Sequence, residues 1–399
     1  MEKRSGSGAR ESLQRSRHRQ AGRNPQEPAA IEPRGHRSHD TGRPLLPRAV
    51  CYGSARRGGP PLVNVGLYGF GRIGRNLFRI LYDRDDVRVG AISDLAEPAA
   101  IEYLTKFDTL LGRFPVELSV REGHLYVAGR QILVLTGKDQ AAVPDWKALG
   151  VDVVFEATNV ARTRAEAERH LAAGARRVIL MAPPKERPDA TIVAGVNDHT
   201  LSPEHRIVSN ASSTVHCLAP ILTILEEAFG IERAMFTTVH SYTSAHRLAD
   251  VPSEDKRRGR AAAENIIPQE SRSPAILKEL LPGLADRVTG YAMNVPVANG
   301  SAVDLSCWHG KPVSPLAINE VIRTAAATDR WRRILRFEQE PIVSSDIARS
   351  ENSAVFDSLA TMTMGKNVSK TLSWFDSSFG HAHRAAELLT RSRLPGAQS

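Results

Sequence analysis

The most informative segment of the chain reads Val63-Asn64-Val65-Gly66-Leu67-Tyr68-Gly69-Phe70-Gly71-Arg72-Ile73-Gly74. Its first six residues are typical of a strand, and apolar residues then recur at helical spacing over residues 75–82. Gly69 permits a tight turn, Gly71 lets the backbone approach a pyrophosphate, and Gly74 lets helix and strand pack closely. The segment predicts a dinucleotide site at a helix N-terminus, where free N–H groups and the helix dipole attract phosphates.

An acidic residue supports this interpretation. Residues 87–92 read as the next strand, and Asp94 follows its end, twenty residues after Gly74. A carboxylate there can accept hydrogen bonds from the ribose hydroxyls of adenosine and would repel a 2′-phosphate. We therefore expect the cofactor to be NAD rather than NADP; the alternative is that Asp94 merely ends a strand.

Further strands alternate with helices along the first half. Residues 151–155 and 177–181 read as buried strands, and an alanine- and arginine-rich helix is expected between them at residues 162–173. Alternation of this kind predicts an α/β fold with a doubly wound, Rossmann-type parallel sheet.

Charge separates the N-terminal segment from the rest. The chain carries a net charge of +9, and residues 1–60 contribute 13 basic against 5 acidic side chains, leaving residues 61–399 at +1. A nearly neutral body argues against nucleic-acid binding as a main function, because such binding needs excess lysine and arginine on a folded face. Polyanion binding through the basic segment is the weakest of the alternatives.

Residues 1–60 have few large apolar side chains, so we expect a disordered basic extension. Its five acids and several prolines argue against a transit peptide, and it has no apolar core of a secretory signal. No stretch is apolar enough to span a membrane. The three cysteines, Cys51, Cys217 and Cys307, suggest neither a disulfide framework nor a metal site, and they favour a cytoplasmic location.

A second segment reads Ser209-Asn210-Ala211-Ser212-Ser213-Thr214-Val215-His216-Cys217-Leu218-Ala219-Pro220. It resembles the active-site motif of glyceraldehyde-3-phosphate dehydrogenases, in which the position of Ser213 is a cysteine that attacks the aldehyde. The resemblance covers residues 63–390 and includes Thr-Val-His-Ser-Tyr-Thr around His240, which supplies the family's general base. It implies an NAD-dependent oxidoreductase that acts on a small phosphorylated aldehyde and forms a homotetramer.

The same resemblance implies the domain organisation. An NAD-binding domain is expected at residues 61–212, with a C-terminal helix at 377–392 packed on it. A catalytic α+β domain with a mostly antiparallel sheet is expected at residues 213–376.

The resemblance also assigns the site. Ser213 and His240 occupy the catalytic positions. The expected cofactor-binding residues are Gly69, Gly71, Arg72, Ile73, Gly74, Asp94, Met181 and Ser377. The expected substrate-binding residues are Ser212, Thr214, Thr243, Arg258, Ser271, Arg272 and Asn294. No metal is expected.

Several of these positions depart from the family pattern. Asn294 replaces a phosphate-binding arginine, Ser271-Arg272 replaces a Thr-Gly pair, and Ser377 replaces the asparagine that fixes the nicotinamide amide. Ser213 is interpreted first as an N-cap or a polar lining residue and second as a nucleophile, because serine needs a positioned base for activation. Cys217 is expected to be buried packing, and His216 a bystander.

Three readings follow for function. The first is an NAD-linked aldehyde oxidoreductase whose catalysis is altered by the loss of the thiol. The second is a non-covalent carbonyl reductase or dehydrogenase that uses His240. The third is an inactive NAD-binding relative with a regulatory or scaffolding role.

Overall fold

The computed structural model describes residues 62–137, 143–160 and 162–391. The basic segment at residues 1–60, for which the sequence predicts disorder, lies outside this range. Two sheets organise the described residues, each with its own hydrophobic core. Within this range no helix has the length and apolar character that crossing a membrane requires.

The first sheet has nine described strands in the order β3-β4-β5-β2-β1-β6-β7-β9-β8. The bounds are β1 Val63–Tyr68, β2 Val87–Asp94, β3 Leu118–Arg121, β4 His124–Val127, β5 Arg130–Thr136, β6 Val153–Glu156, β7 Arg177–Leu180, β8 Ala190–Thr191 and β9 Ile207–Ser209. At one edge of the sheet the pairings β3–β4 and β4–β5 are antiparallel. The other six described pairings, including those on both sides of β1, are parallel. Every residue of β6 and β7 is buried, as expected for strands covered on both faces.

Four helices pack on this sheet: α1 Arg72–Tyr82, α2 Pro98–Lys106, α3 Arg164–Ala172 and α7 Phe379–Arg391. Apolar residues of α1 and α7, among them Leu77, Phe78 and Leu388, join one core with β1 and β2. Arg84 Nη1 adds a polar tie by donating to the carbonyl oxygen of Ala386 at 2.7 Å. The predicted parallel, doubly wound arrangement is confirmed.

Several element bounds differ from the sequence prediction. Helix α1 begins at Arg72 rather than Arg75, because its first turn is itself part of the glycine-rich segment. Helix α3 begins at Arg164, two residues later than expected, because Thr163 accepts the N–H of Glu166 in a capping box. Strand β6 begins at Val153 rather than Val151, β2 includes Asp94, and α7 spans 379–391 rather than 377–392.

The second sheet has seven described strands in the order β11-β12-β10-β13-β16-β15-β14. The bounds are β10 Ile231–Ser241, β11 Ile267–Gln269, β12 Val288–Val295, β13 Ser301–His309, β14 Leu335–Glu338, β15 Ala354–Met364 and β16 Val368–Phe375. Four of its six pairings are antiparallel, and β10–β12 and β14–β15 are parallel. The expected mostly antiparallel catalytic sheet is confirmed.

Helices cover one face of this sheet. They are α4 Ser213–Phe229, α5 Ser273–Leu280 and α6 Pro315–Ala326. Helix α4 is buried from Thr214 to Leu225 and supplies Val215, Leu218 and Leu222 to the second core. Its first turn therefore has a fixed position between the two sheets. The domain bounds at residues 212, 213 and 376 remain a prediction.

Candidate functional site

A cleft of about 820 Å³ lies at the carboxyl edge of the first sheet and reaches the second. This volume is within the usual range for small-molecule and cofactor sites. Most of the predicted site residues line it: Gly69, Gly71, Arg72, Ile73, Asp94, Met181, Ser212, Ser213, His240, Thr243 and Ser377. The fold therefore brings the glycine turn, the start of α4 and the end of β10 to one cavity.

The glycine turn is shaped by close backbone approach. Gly69 has φ +94°, and a Cβ there would lie 2.7 Å from backbone atoms of Ala157 and Thr158. A Cβ on Gly74 would collide with the carbonyl oxygen of Gly69. In contrast, no atom lies within 4 Å of the Cβ position of Gly71, which faces the cleft. Gly69 and Gly74 serve the fold, whereas Gly71 leaves room for a ligand.

Asp94 is held at the last position of β2. Its Oδ2 accepts the backbone N–H of Phe70 at 2.5 Å, and its Oδ1 accepts that of Ala96 at 2.8 Å. The carboxylate therefore joins the glycine turn to the strand end and remains in the cleft lining. This placement fits the ribose contact that the sequence predicts.

The start of α4 corrects one interpretation of Ser213. The N-cap is Ser212, whose hydroxyl oxygen accepts the N–H of Val215 at 3.2 Å, and Ser213 is the first helical residue. The interpretation of Ser213 as an N-cap is therefore wrong, and the reason is that sequence alone does not show which of the two serines leaves helical geometry. Its polar-lining role agrees with its place in the cleft, and in the described part of the chain its hydroxyl has no hydrogen-bond partner.

His240 lies near the end of β10 with a defined tautomer. Its Nδ1 is 2.6 Å from the carbonyl oxygen of Ser241, which can only accept, so Nδ1 carries the proton. Nε2 is left as the acceptor of the neutral ring. Burial lowers the pKa of His240, and this keeps the ring neutral at pH 7. The ring of Phe375 packs against it in a T-shaped arrangement, with 6.1 Å between ring centres.

Asn294 lies beside His240 in the parallel register of β10 and β12, and the two side chains share one face. It is fully buried, and neither its amide oxygen nor its amide nitrogen has a hydrogen-bond partner among the described residues. Asn294 and Thr214 do not line the cleft. Arg258, Ser271 and Arg272 also lie outside its lining, although all three belong to segments near β11.

The end of the cleft expected for nicotinamide contains a buried polar cluster. Asn210 Nδ2 donates to the carbonyl oxygen of His381 at 3.0 Å, and His381 Nε2 lies 2.9 Å from the carbonyl oxygen of Met181. His216 Nε2 lies 2.9 Å from the carbonyl oxygen of Asn210, and its ring packs edge-on against His381. Burial lowers the pKa of His216, and the electrostatic effects of His381 and Arg384 lower it further. The cluster positions the strand end behind Ser213.

Cys217 cannot replace the missing thiol. It is fully buried, and its Sγ lies 3.7 Å from the carbonyl oxygen of Ser373. Burial raises the pKa of its thiol far above the ordinary value. This agrees with the expected packing role.

Sequence reasoning missed some cleft residues. Tyr68, Thr158, Asn159 and Pro183 line the cavity. Thr158 and Asn159 lie two and three residues after the end of β6, and the rule that ligands bind beyond the carboxyl ends of parallel strands could have identified them.

A Rossmann-type sheet and an antiparallel catalytic sheet that share one cleft define the class of two-domain, nicotinamide-dependent dehydrogenases. Comparison with known proteins then specifies the family. The model described as "Glyceraldehyde 3-phosphate dehydrogenase, NAD binding domain" matches residues 63–164, and the model of the family's C-terminal domain matches residues 212–377.

Relatives named glyceraldehyde-3-phosphate dehydrogenase align with this chain over almost their whole length. The glyceraldehyde-3-phosphate dehydrogenases of Streptomyces coelicolor and Geobacillus stearothermophilus are each 42% identical to this chain, covering 82% of it and 97% of their own length. Glyceraldehyde-3-phosphate dehydrogenase 1 of Bacillus subtilis is 41% identical over the same shares. The chain belongs to the glyceraldehyde-3-phosphate dehydrogenase family, and its cofactor is NAD, as predicted.

Proposed function

We propose that the protein is an NAD-linked oxidoreductase that acts on a small phosphorylated aldehyde by acid–base chemistry at His240, without a covalent thioester. One observation carries the proposal. His240 has its proton on Nδ1, held by Ser241, and it shares a cleft with the glycine turn that binds a dinucleotide. The cleft thus retains a general base and a cofactor site, although the nucleophilic cysteine of the family is replaced by Ser213.

The residues present fit NAD. The space beside Gly71 admits the pyrophosphate at the start of α1, and Asp94 meets the ribose hydroxyls. The turn is lined by Gly69, Arg72 and Ile73, and Gly74 packs closely on Gly69. We assign Met181 and Ser377 to the nicotinamide end of the cleft. Bound NAD supplies a hydride acceptor.

Ser213 takes a different role from a cysteine. A serine hydroxyl has a pKa many units above that of a thiol, and Ser213 makes no hydrogen bond to His240 among the described residues. At the first position of α4 it can donate a hydrogen bond to the oxygen of the reacting carbon, supported by the positive end of the helix dipole.

His240 acts on the hydrated aldehyde. Its Nε2 takes the proton of one hydroxyl as that oxygen forms the double bond of the carboxylic acid, while the hydride leaves the same carbon. The lowered pKa of His240 keeps Nε2 free of a proton at neutral pH. The products are the acid and the reduced cofactor, with one proton released.

The phosphate-bearing part of the substrate extends toward the second sheet. Ser212 and Thr243 line the cleft there, and we assign Thr214, Arg258, Ser271, Arg272 and Asn294 to the surrounding substrate region. Asn294 supplies a neutral amide where the family pattern has a cation, so the charge must come from the arginines.

The test measures NADH formation from glyceraldehyde 3-phosphate and NAD, with and without inorganic phosphate, for the unchanged chain, Ser213→Cys and His240→Asn. Phosphate-independent turnover by the unchanged chain, lost in His240→Asn, supports the proposal. A strict phosphate requirement in the unchanged chain would contradict it, because phosphate is needed only to cleave a thioester.

An inactive NAD-binding relative is the second candidate. It is favoured by the buried, unpartnered amide of Asn294 and by the missing hydrogen bond between Ser213 and His240 among the described residues. This candidate predicts saturable NAD binding by the unchanged chain with no turnover of any aldehyde, and turnover only in Ser213→Cys.

We also propose a homotetramer in the cytoplasm. The face of the second sheet opposite α4 exposes Met235, Tyr291, Met362 and Met364, and several exposed apolar side chains on one face support burial against another copy. The buried free thiols of Cys217 and Cys307 fit a reducing compartment. Light scattering would test the assembly, and a monomer at micromolar concentration would contradict it.

A further inference from the structure

A buried acid lies where the order of the first sheet reverses. The chain places β2 and β5 on one side of β1, and β6 and β7 on the other side. Glu156 is the last residue of β6 and is paired in register with Tyr68, the last residue of β1. Nucleotides bind beyond the carboxyl ends of the strands at such a reversal. The side chain of Glu156, which is only 2% exposed, therefore lies next to the region in which NAD is expected.

The carboxylate of Glu156 is surrounded by hydrogen-bond donors. Its Oε1 accepts the backbone N–H of Thr158 at 2.8 Å and the hydroxyl of the same residue at 2.5 Å. Its Oε2 lies 3.2 Å from His170 Nε2. A buried carboxylate is costly unless hydrogen bonds replace its water, and these three contacts provide that replacement.

Trp146 fixes the tautomer of His170. An indole N–H can only donate, and Trp146 Nε1 lies 3.0 Å from His170 Nδ1, which is therefore the acceptor. The proton of the neutral imidazole is then on Nε2, which donates to Glu156. Both Trp146 and His170 are buried. We call Trp146, His170 and Glu156 the buried relay, since one hydrogen bond leads to the next and the last reaches Thr158.

The buried relay supports the glycine turn from below. A Cβ on Gly69 would lie 2.7 Å from the peptide that joins Ala157 and Thr158, so the turn rests directly on this peptide. The N–H of Ala157 donates to the carbonyl oxygen of Tyr68 at 2.7 Å, and the ring of Tyr68 packs at right angles to that of His170, with 4.7 Å between ring centres. The relay thus contacts both the strand that leads into the turn and the residues beneath it.

The relay also fixes the chain that follows β6. The hydroxyl of Thr158 donates to Glu156 and accepts the N–H of Val160 at 3.2 Å. Between them Asn159 has φ +62°, a left-handed conformation that asparagine tolerates better than most residues. Thr158 and Asn159 both line the cleft. The position of this wall of the cleft therefore depends on the carboxylate of Glu156.

We propose that Glu156 and His170 are positioning residues for NAD, which hold the Ala157–Thr158 peptide and Asn159 against the glycine turn so that the cleft is formed before the cofactor enters. A preformed site loses less conformational entropy on binding, and supporting hydrogen bonds keep its geometry fixed. The relay touches no reacting atom. The inference concerns cofactor binding and does not depend on the chemistry proposed above.

The experiment measures NAD binding to the full chain by calorimetry, together with the melting temperature without ligand. Two substitutions of His170 form a matched pair. In His170→Asn the amide oxygen takes the place of Nδ1 and still accepts from Trp146, but the donor to Glu156 is lost. In His170→Gln the amide nitrogen takes the place of Nε2 and retains that donor. Glu156→Gln removes the charge at nearly constant shape.

A buried histidine of the second sheet provides the control. His309 is fully buried, and its ring nitrogens contact the carbonyl oxygen of Gly230 at 3.0 Å and the hydroxyl of Ser369 at 2.8 Å. It does not line the cleft. His309→Asn should therefore lower the melting temperature and leave NAD affinity unchanged, which separates a loss of stability from a loss of the cofactor site.

We expect His170→Asn and Glu156→Gln each to weaken NAD binding about 10-fold, the effect of losing one hydrogen bond to a charged group. His170→Gln should bind NAD nearly as the unchanged chain does. Equal NAD affinity in Glu156→Gln and the unchanged chain overturns the inference, as does an equal loss in the two His170 variants or in His309→Asn, because packing alone would then explain the result.

A milder substitution keeps the test decisive if His170→Asn does not fold. Trp146→Phe retains an aromatic ring and removes only the N–H that selects the tautomer of His170. We expect it to weaken NAD binding about 3-fold, as for the loss of one neutral hydrogen bond. Unchanged NAD affinity in both Trp146→Phe and Glu156→Gln contradicts the inference. Failure of every variant to oxidise an aldehyde, with the effects on NAD binding present, contradicts the proposed function only.

Discussion

The two halves of the cleft are built in different ways. On the nucleotide side, backbone geometry dominates: Gly69 has φ +94°, a Cβ on Gly74 would collide with the carbonyl oxygen of Gly69, and Asp94 is held by two backbone N–H groups. On the substrate side, side chains dominate, and among the described residues they include a serine without a partner and a buried asparagine with an unpaired amide. The first half tolerates few changes, whereas the second can acquire a new chemistry within the same fold.

The difference has a physical origin. A pyrophosphate is bound by backbone N–H groups, so only residues that permit the turn are required. A reacting carbon is bound by specific side chains, and each substitution changes one donor, acceptor or charge. Binding of NAD and turnover should therefore respond separately to substitution.

The largest difference between the effects on turnover and on NAD binding is expected for His240→Asn. Removing a general base lowers turnover about 10²- to 10⁴-fold, while the dissociation constant of NAD stays unchanged because His240 lies on the substrate side. Steady-state kinetics and NAD titration measure the two effects. A parallel loss of NAD affinity would show that the halves are not separable.

Two alanine substitutions in the glycine turn test the nucleotide side of the cleft in the same way. Gly74→Ala should lower the free energy of unfolding by about 3 kcal/mol, because its Cβ meets the backbone at Gly69. Gly71→Ala should leave the stability of the unliganded protein unchanged and weaken NAD binding, because its Cβ enters only the open cleft. Chemical denaturation and NAD titration test the pair, and equal effects on stability would contradict the distinction.

Acid should weaken the polar cluster behind the substrate half. Burial lowers the pKa values of His216 and His381 below the ordinary value of 6.5, so the unfolded chain binds more protons as the pH falls below 6.5. Each histidine then removes about 1.4 kcal/mol of unfolding free energy per pH unit, down to its folded pKa. Above pH 7 each of these histidines is neutral in both the folded and the unfolded chain, so it does not change the free energy of unfolding.

Denaturation at pH 7 and pH 5.5 measures this dependence. His216→Asn should reduce the loss by about one histidine's share, or about 1 kcal/mol over this interval. His199→Asn, at an exposed position, is the control. An unchanged slope in His216→Asn would show that this histidine is not kept neutral by the fold.

The smallest effect is expected at Asn294. Asn294→Leu should raise the free energy of unfolding by about 1 kcal/mol, because it replaces an unpaired buried amide with an apolar group of similar size. The control, Asn299→Leu, removes a buried donor to Asp376 Oδ2 at 2.9 Å and should destabilise the protein. Destabilisation by both would mean that the amide of Asn294 has a partner.

Most of the nucleotide-binding fold could be predicted from short-range patterns. The strand at residues 63–68, the glycine turn and Asp94 were identified because steric limits and strand periodicity act over a few residues. The start of α3 was placed two residues early, although the capping-box pattern of Thr163 and Glu166 was readable in the sequence.

The arrangement of the substrate half could not be read in the same way. Ser212 and Ser213 are chemically identical, and only the direction of the chain at α4 shows which one caps the helix. Nor does a local pattern relate Asn294 to His240, because the two residues are far apart along the chain and meet only in the parallel register of β10 and β12.

By itself, the sequence determined the family, the nucleotide-binding turn and the preference for NAD, because these depend on local sterics and on motifs of fixed spacing. Only the tertiary structure decided that the Asn294 amide is buried beside His240 without a partner among the described residues, and that the glycine turn, the start of α4 and the end of β10 line one cleft. Burial and the approach of distant segments arise from packing, and no local pattern encodes them.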